Sequence, residues 1–249
     1  MIEHVYRRAA RARSVDAVVV ATDDERIAKA VERFGGIVRM TSAVHRTGTD
    51  RIAEIARELS CDVVVNVQGD LPLVEPDMIA QVVEPLLADP TARMSTVYRR
   101  VTTMAEYMSL HAVKVVVDRT GHALYFSRAP IPSGPPEGGP HDTREISAAK
   151  DVGAAFRRPV FKHIGMYGYR RDFLLTFAAL PQTPLEQAES LEQLRALEHG
   201  FRIRAVETHF ESIEIDTPDD LERVRQLVTE RAATAATTSS TNTRQGEVA

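Results

Sequence analysis

An apolar run that ends abruptly in turn residues indicates the class of fold. Val63–Val67 is rich in valine and predicts a buried β-strand, and Gln68–Asp70 with Pro72 after it ends that strand. Continuous β-branched runs are typical of parallel strands that are covered on both faces. Ligands of open α/β sheets bind beyond the carboxyl ends of the strands, so the sequence places Asp70 where such a fold has its binding crevice.

Alternation of strands and helices extends this pattern along the chain and predicts an α/β fold with a mostly parallel sheet. Strands are predicted over 17–21, 37–40 and 161–169. Helices are predicted from Thr22-Asp23-Asp24 to Gly35-Gly36, from 50 to about 59, over 76–87 and over 184–199. Gly200 ends the last of these helices, because glycine is the usual residue just after a helix C-terminus.

The middle of the chain predicts an antiparallel excursion from this sheet. A turn at 118–121 separates the last two of three predicted strands, over 94–101, 112–117 and 123–126. The segment 130–158 is dense in proline, glycine and charge, and we interpret it as a mobile loop over the site. The segment 230–249 has no periodicity, which predicts one domain over 1–229 followed by a disordered tail.

Composition argues against several classes of protein. The 249 residues suffice for one large domain, and the formal net charge of −4 gives no electrostatic reason to expect nucleic acid or an anionic membrane as a partner. Cys61 is the single cysteine, so no internal disulfide can form, which fits a reducing compartment. We see no membrane-spanning run and no signal peptide, and we expect a soluble cytoplasmic protein. No Gly-x-Gly-x-x-Gly or Walker motif is present, which argues against a dinucleotide site and a Walker-type NTPase.

A second aspartate repeats the pattern of Asp70. Residues 212–216 read as another strand, and this strand ends at Asp216. Thr217 is the better N-cap of the helix that follows, with Pro218 at its first position, so Asp216 is not needed as a helix cap. Two strand-end carboxylates, far apart in sequence, suggest one metal site. The alternatives are a turn residue for Asp70 and a helix-start residue for Asp216.

Polar groups on one predicted strand are the next candidates. Alternation along the strand places four residues on one face: His163, Gly165, Tyr167 and Tyr169. The glycine leaves room for a ligand to approach the sheet. A single histidine on a strand is more often a packing residue than a ligand contact, so both interpretations of His163 stay open.

Charged side chains outside that strand also have two interpretations. Arg128 lies just before the 130–158 segment, and its guanidinium could clamp a carboxylate through two hydrogen bonds. Glu189, Glu192 and Gln193 lie on the helix predicted over 184–199. A solvated helix face is the default for such residues.

The ordered set of motifs resembles one family. From residue 1 to about 228, the chain resembles the 3-deoxy-D-manno-octulosonate (Kdo) cytidylyltransferases, also called CMP-Kdo synthetases. The combination is far more specific than any single motif: VVATDD, HRTGTDRIAE, VVVNVQGD, AVKVVVD, ALYFSRAPIP, KHIGMYGYR, PLEQAESLEQLR and IDTPDDLERVR. The resemblance implies a single α/β nucleotidyltransferase (Rossmann-like) domain that joins CMP from CTP to Kdo with Mg²⁺ and releases pyrophosphate, for lipopolysaccharide biosynthesis. A homodimer is expected on the same ground.

The resemblance also implies which residues form the site. Asp70 and Asp216 match the family's metal-binding, catalytic aspartates, and hard oxygen ligands favour Mg²⁺ over softer metals. Thr47 and Gly48 lie in the loop near the cytosine. The positions expected to hold the sugar acid are Gln68, Arg128, His163, Tyr167 and Glu192. A metal held by strand-end carboxylates would neutralise phosphate charge while a sugar hydroxyl attacks the α-phosphorus.

The chain departs from the family pattern at its beginning. Family members begin with a strand and a loop of the type Pro-Ala-Arg-x-x-Ser-x-Arg-x-x-x-Lys that grips the CTP triphosphate, and Met1 aligns with the helix after that loop. Leu71 and His111 stand where many members carry Glu and Asn. Two alternatives therefore stay open. One is a cytidylyltransferase for another keto-sugar acid, of the sialic acid or 8-amino-Kdo type, and the other is a non-catalytic remnant that binds a ligand or a partner.

Overall fold

A computed structural model describes residues 1–132, 159–211, 213–215 and 217–229. Most of the predicted loop over 130–158 lies outside these described residues, as do Asp216 and the predicted tail over 230–249. Helices and strands alternate along the described ranges, which confirms the α/β class. Within these ranges, no helix is long and apolar enough to cross a lipid bilayer.

Most helices and strands lie close to their predicted positions. The helices are α1 (Ile2–Ala9), α2 (Glu25–Arg33), α3 (Gly48–Ala56), α4 (Pro76–Ala88), α5 (Met104–Met108), α6 (Arg171–Ala179), α7 (Pro184–Glu189), α8 (Gln193–Glu198) and α9 (218–229). The strands are β1 (Val19–Thr22), β2 (Ile37–Met40), β3 (Val63–Asn66), β4 (Met94–Arg100), β5 (Lys114–Val117), β6 (Ala123–Ser127), β7 (Phe161–Arg170) and β8 (Ile203–Glu207).

Strand β7 organises the larger of two sheets. Its ten residues pair with β4 along one edge, and with β3 and β5 at opposite ends of the other edge. Strand β8 lies beside β4, and β6 lies beside β5. Strands β1 and β2 form a separate pair.

The prediction of a mostly parallel sheet is wrong for the described strand pairs. Pairing is parallel in β1–β2 and β4–β8, whereas β7 runs antiparallel to β3, β4 and β5, and β6 runs antiparallel to β5. Valine-rich runs are typical of parallel strands, but the valines of β3 are only partly buried and this strand pairs antiparallel with β7. The antiparallel excursion predicted for the middle of the chain is confirmed, because β5 and β6 form a hairpin.

Helix α3 begins earlier than predicted. Thr47 is its N-cap, and the Thr47 hydroxyl accepts a hydrogen bond from the Asp50 N–H at 3.1 Å. The helix therefore covers Gly48–Ala56 rather than 50–59. The N–H groups of a helix's first turn have no partner within the helix, and a threonine side chain can accept from one of them. The predicted loop residue Thr47 is therefore a helix cap.

The single helix predicted over 184–199 is wrong, because the chain forms the two short helices α7 and α8. Ser190 lies between them with φ of 52°, in the left-handed region. The Leu191 N–H donates to the Glu186 carbonyl at 3.2 Å and closes the turn. A non-glycine residue in this region is strained, so its neighbours must hold it there. Gly200, with φ of +80°, follows the second helix as predicted.

Some elements were not predicted, and one predicted strand is wrong. Helices α5 and α6 and strand β8 have no counterpart among the predictions. The available signal for β8 was the alternation of apolar Ile203 and Ala205 with polar Arg204. The structure buries Ile203 and Ala205. Residues 213–215 were expected in a strand, but they belong to no strand of the described chain.

Two apolar clusters cover opposite faces of the larger sheet along β7. Ile164 and Met166 join the cluster that includes the buried side of α4, whereas Tyr169 joins the cluster that includes the buried side of α6. A Cβ atom on Gly168 would lie 2.7 Å from the Ser95 Oγ and Val82 Cγ1 atoms, so only glycine lets α4 approach this closely. The polar residues of β7 are thereby kept on the face away from α4.

Candidate active site

Asp70 lies in the turn that follows β3, beyond the carboxyl end of that strand. The residue is partly buried and its Oδ1 atom is fully buried. The Ile215 N–H donates to the Asp70 carbonyl oxygen at 3.1 Å. That hydrogen bond holds the segment just before Asp216 against the Asp70 turn, while Asp216 itself lies outside the described residues. The structure brings together the two chain segments that the sequence suggested as one metal site.

The polar face predicted for β7 is present. The His163 and Tyr167 rings are 5.2 Å apart, and the Tyr167 and Tyr169 rings are 6.1 Å apart. A bulge interrupts the pairing with β4, since Ile164 is opposite Val97 and Tyr167 is opposite Thr96. Two extra residues in β7 preserve the alternation, so these side chains stay on one face. 

His163 is a buried and neutral member of this face. Burial, with a smaller contribution from the charge of Lys162, lowers the pKa of His163 to about 3. The Thr96 hydroxyl donates to the Met166 carbonyl at 2.8 Å and lies 2.9 Å from the His163 Nε2 atom. Because the hydroxyl proton is already used, the Nε2 atom carries the proton and donates to Thr96. The ring therefore offers hydrogen bonds and packing to a ligand, without a positive charge.

The two tyrosines of β7 stay protonated. Burial raises the pKa of Tyr167 and of Tyr169, and the charge of Glu192 adds to both shifts. The Tyr169 hydroxyl shares a hydrogen bond with the Thr49 side chain. These phenols are therefore neutral hydrogen-bonding groups near neutral pH.

Glu192 lies against the first turn of α3. The Thr49 hydroxyl donates to the Glu192 Oε2 atom at 2.5 Å, and the Thr47 hydroxyl shares a further hydrogen bond with this carboxylate. The Arg195 Nη2 atom lies 3.6 Å from Oε1. Burial raises the pKa of Glu192, and the two threonines and Arg195 oppose that shift. We call these residues, together with Tyr169, the Glu192 cluster.

A buried ion pair supports the Glu192 cluster. Arg195 and Glu186 are 3% and 5% exposed. Their contacts are bidentate, with Nε–Oε2 at 2.8 Å and Nη2–Oε1 at 2.5 Å. The Arg195 guanidinium also lies 5.1 Å from the centre of the Phe177 ring. Arg195 therefore connects Glu186 to Glu192 across the break between α7 and α8.

Arg128 uses its donors within the protein. Its Nε atom donates to the Glu189 carbonyl at 3.0 Å, and its Nη1 and Nη2 atoms donate to the Leu110 and Ser190 carbonyls at 3.3 and 3.5 Å. Its backbone N–H donates to the Glu189 carboxylate at 2.9 Å. These contacts hold the strained turn at Ser190. A carboxylate ligand would have to replace the longer carbonyl contacts of the guanidinium.

Gln68 and Gly48 have fewer contacts. The Gln68 carbonyl accepts from the Leu71 N–H at 3.4 Å, and the residue is partly exposed. Gly48 is exposed at the first position of α3. Apart from its chain neighbours and the helix backbone, no atom of the described residues lies within 4 Å of the place where its Cβ would be. Space is thus open at this helix start.

The solvated face expected for three residues of the 184–199 region is wrong. Glu189 and Glu192 are partly buried, and Gln193 is only 4% exposed. The break at Ser190 turns α8 inward, which a continuous helix would not do. The expectation failed because it depended on that continuous helix.

Comparison with known proteins decides the family. A model of the cytidylyltransferase family matches residues 1–237. The 3-deoxy-manno-octulosonate cytidylyltransferase of Geobacter metallireducens is 53% identical over 224 residues, which are 90% of this chain and 85% of the relative. The protein of the same name from Pelobacter propionicus is 54% identical over 226 residues, which are 91% of this chain and 86% of the relative. This chain belongs to the 3-deoxy-manno-octulosonate cytidylyltransferase family.

Solved structures agree with this cytidylyltransferase assignment. A structure of CMP:2-keto-3-deoxy-manno-octonic acid synthetase complexed with CTP matches with a TM-score of 0.80 and 38% identity, and the match covers 92% of this chain and 88% of that one. The 4-diphosphocytidyl-2C-methyl-D-erythritol synthase of Anaerococcus prevotii matches with a TM-score of 0.56 at 11% identity, over 92% of this chain and 88% of that one. The second match shows that the two proteins share a fold.

In this cytidylyltransferase, residues that were predicted for the nucleotide contact residues that were predicted for the sugar acid. Thr47, expected near the nucleotide, and Glu192, expected near the sugar acid, share a hydrogen bond. Arg128 reaches the same region through Glu189 and Ser190. Asp70 and its turn form a separate part of the candidate site.

Sequence analysis missed several polar residues beside these positions. Thr49, Thr96 and Arg195 hold predicted residues in place. Thr49 and Arg195 lie within two of the quoted motifs but were given no role there, and Thr96 lies in no quoted motif. The Glu214 Oε1 atom lies 3.9 Å from where a Cβ on Gly165 would be, which places this carboxylate on the polar face of β7. Its position two residues before Asp216 was the one available signal.

Proposed function

We propose that this protein transfers CMP from CTP to Kdo (3-deoxy-D-manno-octulosonate) and releases CMP-Kdo and pyrophosphate. The observation that carries this proposal is the identity of 53% over 90% of the chain with a 3-deoxy-manno-octulosonate cytidylyltransferase. Relatives at this level over nearly a whole chain share their core and the residues around it. The match to a synthetase bound to CTP supports the nucleotide side of the reaction.

The reaction is a substitution at phosphorus. A hydroxyl oxygen of the sugar acid forms a bond to the α-phosphorus of CTP, the bond to the bridging oxygen of the β-phosphate breaks, and the hydroxyl proton is lost. Such a step depends on holding two anionic substrates in line and on balancing the charge that develops on the phosphate oxygens. The protein must therefore provide a rigid cradle and a local source of positive charge.

Mg²⁺ is the proposed source of that charge. Asp70 and Asp216 would hold it, since carboxylate oxygens are the ligands that this ion prefers. The buried Oδ1 atom of Asp70 and the hydrogen bond from Ile215 to the Asp70 carbonyl favour such a site. In the described part of the chain, no group of three or more His, Cys, Asp or Glu side chains could hold a metal. Bound Mg²⁺ would neutralise phosphate charge and orient the triphosphate.

The remaining predicted residues are proposed to bind the substrates. Thr47 and Gly48 would contact the nucleotide at the start of α3. The sugar acid would lie over the polar face of β7, where neutral His163 and Tyr167 offer hydrogen bonds to its hydroxyl groups. Gln68, Arg128 and Glu192 would complete the pocket. The open space at Gly48 supports the placement of the nucleotide.

Three finer points belong to the same proposal. The protein would act as a homodimer, in the cytoplasm, and its product would enter lipopolysaccharide biosynthesis. Family membership is the support for each of them. Light scattering on the purified protein tests the first point, since a monomer mass at micromolar concentration would contradict a stable dimer.

The test of the proposed function is pyrophosphate release by the purified protein with CTP and Mg²⁺. Kdo, 8-amino-Kdo and a sialic acid are offered in parallel, and a reaction without sugar acid is the control. Release with Kdo alone is the expected result. Release only with one of the other acids would replace Kdo as the substrate. If neither this chain nor a version extended with the family's N-terminal loop releases pyrophosphate, a non-catalytic role is favoured.

A further inference from the structure

Lys114 carries a positive charge that is completely buried in the larger sheet. It lies on β5 and is 0% exposed. Its Nζ atom donates to three backbone carbonyl oxygens, those of Ser109 at 2.7 Å, Ala112 at 2.5 Å and Arg128 at 2.6 Å. Within the described ranges, the three acceptors of this ammonium are carbonyl oxygens and none is a carboxylate. All three N–H groups of the ammonium therefore donate to main-chain carbonyl oxygens.

A buried ammonium without a carboxylate is costly, so its contacts call for an explanation. Burial lowers the pKa of Lys114, and the charges of Glu189 and Glu106 oppose that shift while those of Arg128 and Lys162 add to it. An apolar side chain of the same length would pack in the sheet without this cost. The three carbonyls offset the cost only because they converge on one point.

The carbonyls held by Lys114 come from two separate segments. Ser109 and Ala112 belong to the connection between α5 and β5, and Arg128 follows the last residue of β6. Lys114 is opposite Ser127 in the β5–β6 pairing, so the ammonium reaches one residue past the end of the hairpin. It thereby fixes the main chain at Arg128.

Arg128 in turn holds the residues just before Glu192 in place. Its N–H and its Nε atom donate to the carboxylate and the carbonyl of Glu189, at 2.9 and 3.0 Å. Ser127 donates to the same carboxylate at 2.6 Å. Burial alone would raise the pKa of Glu189, but these hydrogen bonds outweigh it and the pKa is lowered. Glu189 ends α7, one residue before strained Ser190.

We propose that Lys114 is a positioning residue for the sugar-acid site. Its ammonium fixes the main chain of Arg128, and Arg128 with Glu189 fixes the turn that places Glu192. This inference rests on the proposed function, because Arg128 and Glu192 are assigned there to the sugar acid. Lys114 itself touches no substrate.

The test compares Lys114→Met with Lys162→Met. Lys162 is the residue directly opposite Lys114 in the β5–β7 pairing, and its ammonium reaches the Glu106 carboxylate at 3.7 Å rather than main chain. Steady-state kinetics with CTP and Kdo are combined with hydrogen exchange of the Arg128 and Leu191 amides. Hydrogen exchange does not require turnover. If the wild-type protein releases no pyrophosphate, the proposed function fails, but the exchange of these amides still tests the role of Lys114.

We expect Lys114→Met to raise KM for Kdo by about tenfold or more, with kcat changed by less than about threefold, because position is lost while the reacting groups remain. Exchange of the Arg128 and Leu191 amides should accelerate by about tenfold. Lys162→Met should leave both readouts unchanged. Lys114→Gln, which keeps two donors on a shorter chain, should lie between wild type and Lys114→Met.

Several results would overturn the proposal. Unchanged KM and exchange in Lys114→Met would show that the ammonium positions nothing. Equal effects in Lys162→Met would show a general response of the sheet to charge. Loss of the folded circular dichroism spectrum in both Lys114 variants would assign this residue to overall stability instead of to the site.

Discussion

The Asp70 turn and the Glu192 cluster are two parts of one candidate site that are built in different ways. Asp70 is placed by the backbone, through the end of β3 and a hydrogen bond from Ile215 to its carbonyl. Glu192 is placed by side chains, through Thr47, Thr49 and Arg195. A backbone-placed group should tolerate a change of its own side chain without a loss of structure. In the side-chain network, any single change should disturb the neighbours.

The largest expected effect is on catalysis at the Asp70 turn. Asp70→Asn should lower Mg²⁺-dependent turnover by about 10³-fold or more, because the proposed metal loses an anionic oxygen ligand. The free energy of unfolding should change by less than about 1 kcal/mol. Pyrophosphate release and urea unfolding measure the two quantities. Asp77→Asn, at an exposed position of α4, is the matched control. Near-normal turnover in Asp70→Asn would remove Asp70 from the metal site.

The next effect is on stability at the Glu192 cluster. Arg195→Met should lower the free energy of unfolding by about 3 kcal/mol, because Glu186 is left as an unpaired buried charge. The double variant Glu186→Leu with Arg195→Met should recover part of that loss, since both charges are then gone. Urea unfolding checks both values, with exposed Arg202→Met as the control. A loss in Arg195→Met no larger than in the control would show that the cluster is not stabilised by this pair.

A smaller effect should separate positioning from stability within the cluster. Thr49→Val removes the hydroxyl that donates to Glu192, while it keeps the shape of the side chain. We expect KM for Kdo to rise by about tenfold, since a hydrogen bond to a charged group contributes about 1.5 kcal/mol or more. Thr49→Ser keeps the hydroxyl and should restore most of the wild-type value. Equal kinetics in the valine and serine variants would show that this hydrogen bond does not position Glu192.

The smallest predicted effect is a pH dependence that arises at His163. The folded-state pKa of about 3 lies below the unfolded value, so the unfolded chain binds a proton that the folded chain excludes. Stability from this group is therefore present above the unfolded pKa and is lost as pH falls toward the folded pKa. Between pH 7 and 5.5 the loss should be about 1 kcal/mol.

His163→Gln removes that titration and should flatten the unfolding free energy over the same pH range. Exposed His209→Gln is the control and should leave the wild-type slope. An unchanged slope in His163→Gln would contradict a buried, neutral His163.

The same contrast explains how far the sequence could predict the molecule. The Asp70 turn could be predicted from the sequence because an apolar run that ends in Gln-Gly-Asp is a local pattern. The polar face of β7 could be predicted for a similar reason, since side chains alternate with a period of two residues and the bulge preserves this alternation. The resemblance to the cytidylyltransferases added the function, and the comparisons confirm the family.

The Glu192 cluster could not be predicted because it depends on contacts that are distant in sequence. Its Thr49–Glu192 hydrogen bond joins residues 143 positions apart. The contact of Arg195 with Glu186 requires the left-handed turn at Ser190, which Arg128 holds from just beyond the end of β6. The prediction of strand direction failed for a related reason, because β3 pairs with β7, a strand that is distant in the sequence.

Phosphorus-31 NMR of CTP with Kdo, Mg²⁺ and the purified protein distinguishes CMP transfer to Kdo from every other fate of CTP. With the wild-type protein, the CTP resonances should be replaced by pyrophosphate and by one phosphodiester resonance from CMP-Kdo. With Asp70→Asn, the CTP resonances should stay unchanged. Persistence of CTP with the wild-type protein, or its conversion to CDP and phosphate without a phosphodiester product, would contradict CMP transfer to Kdo.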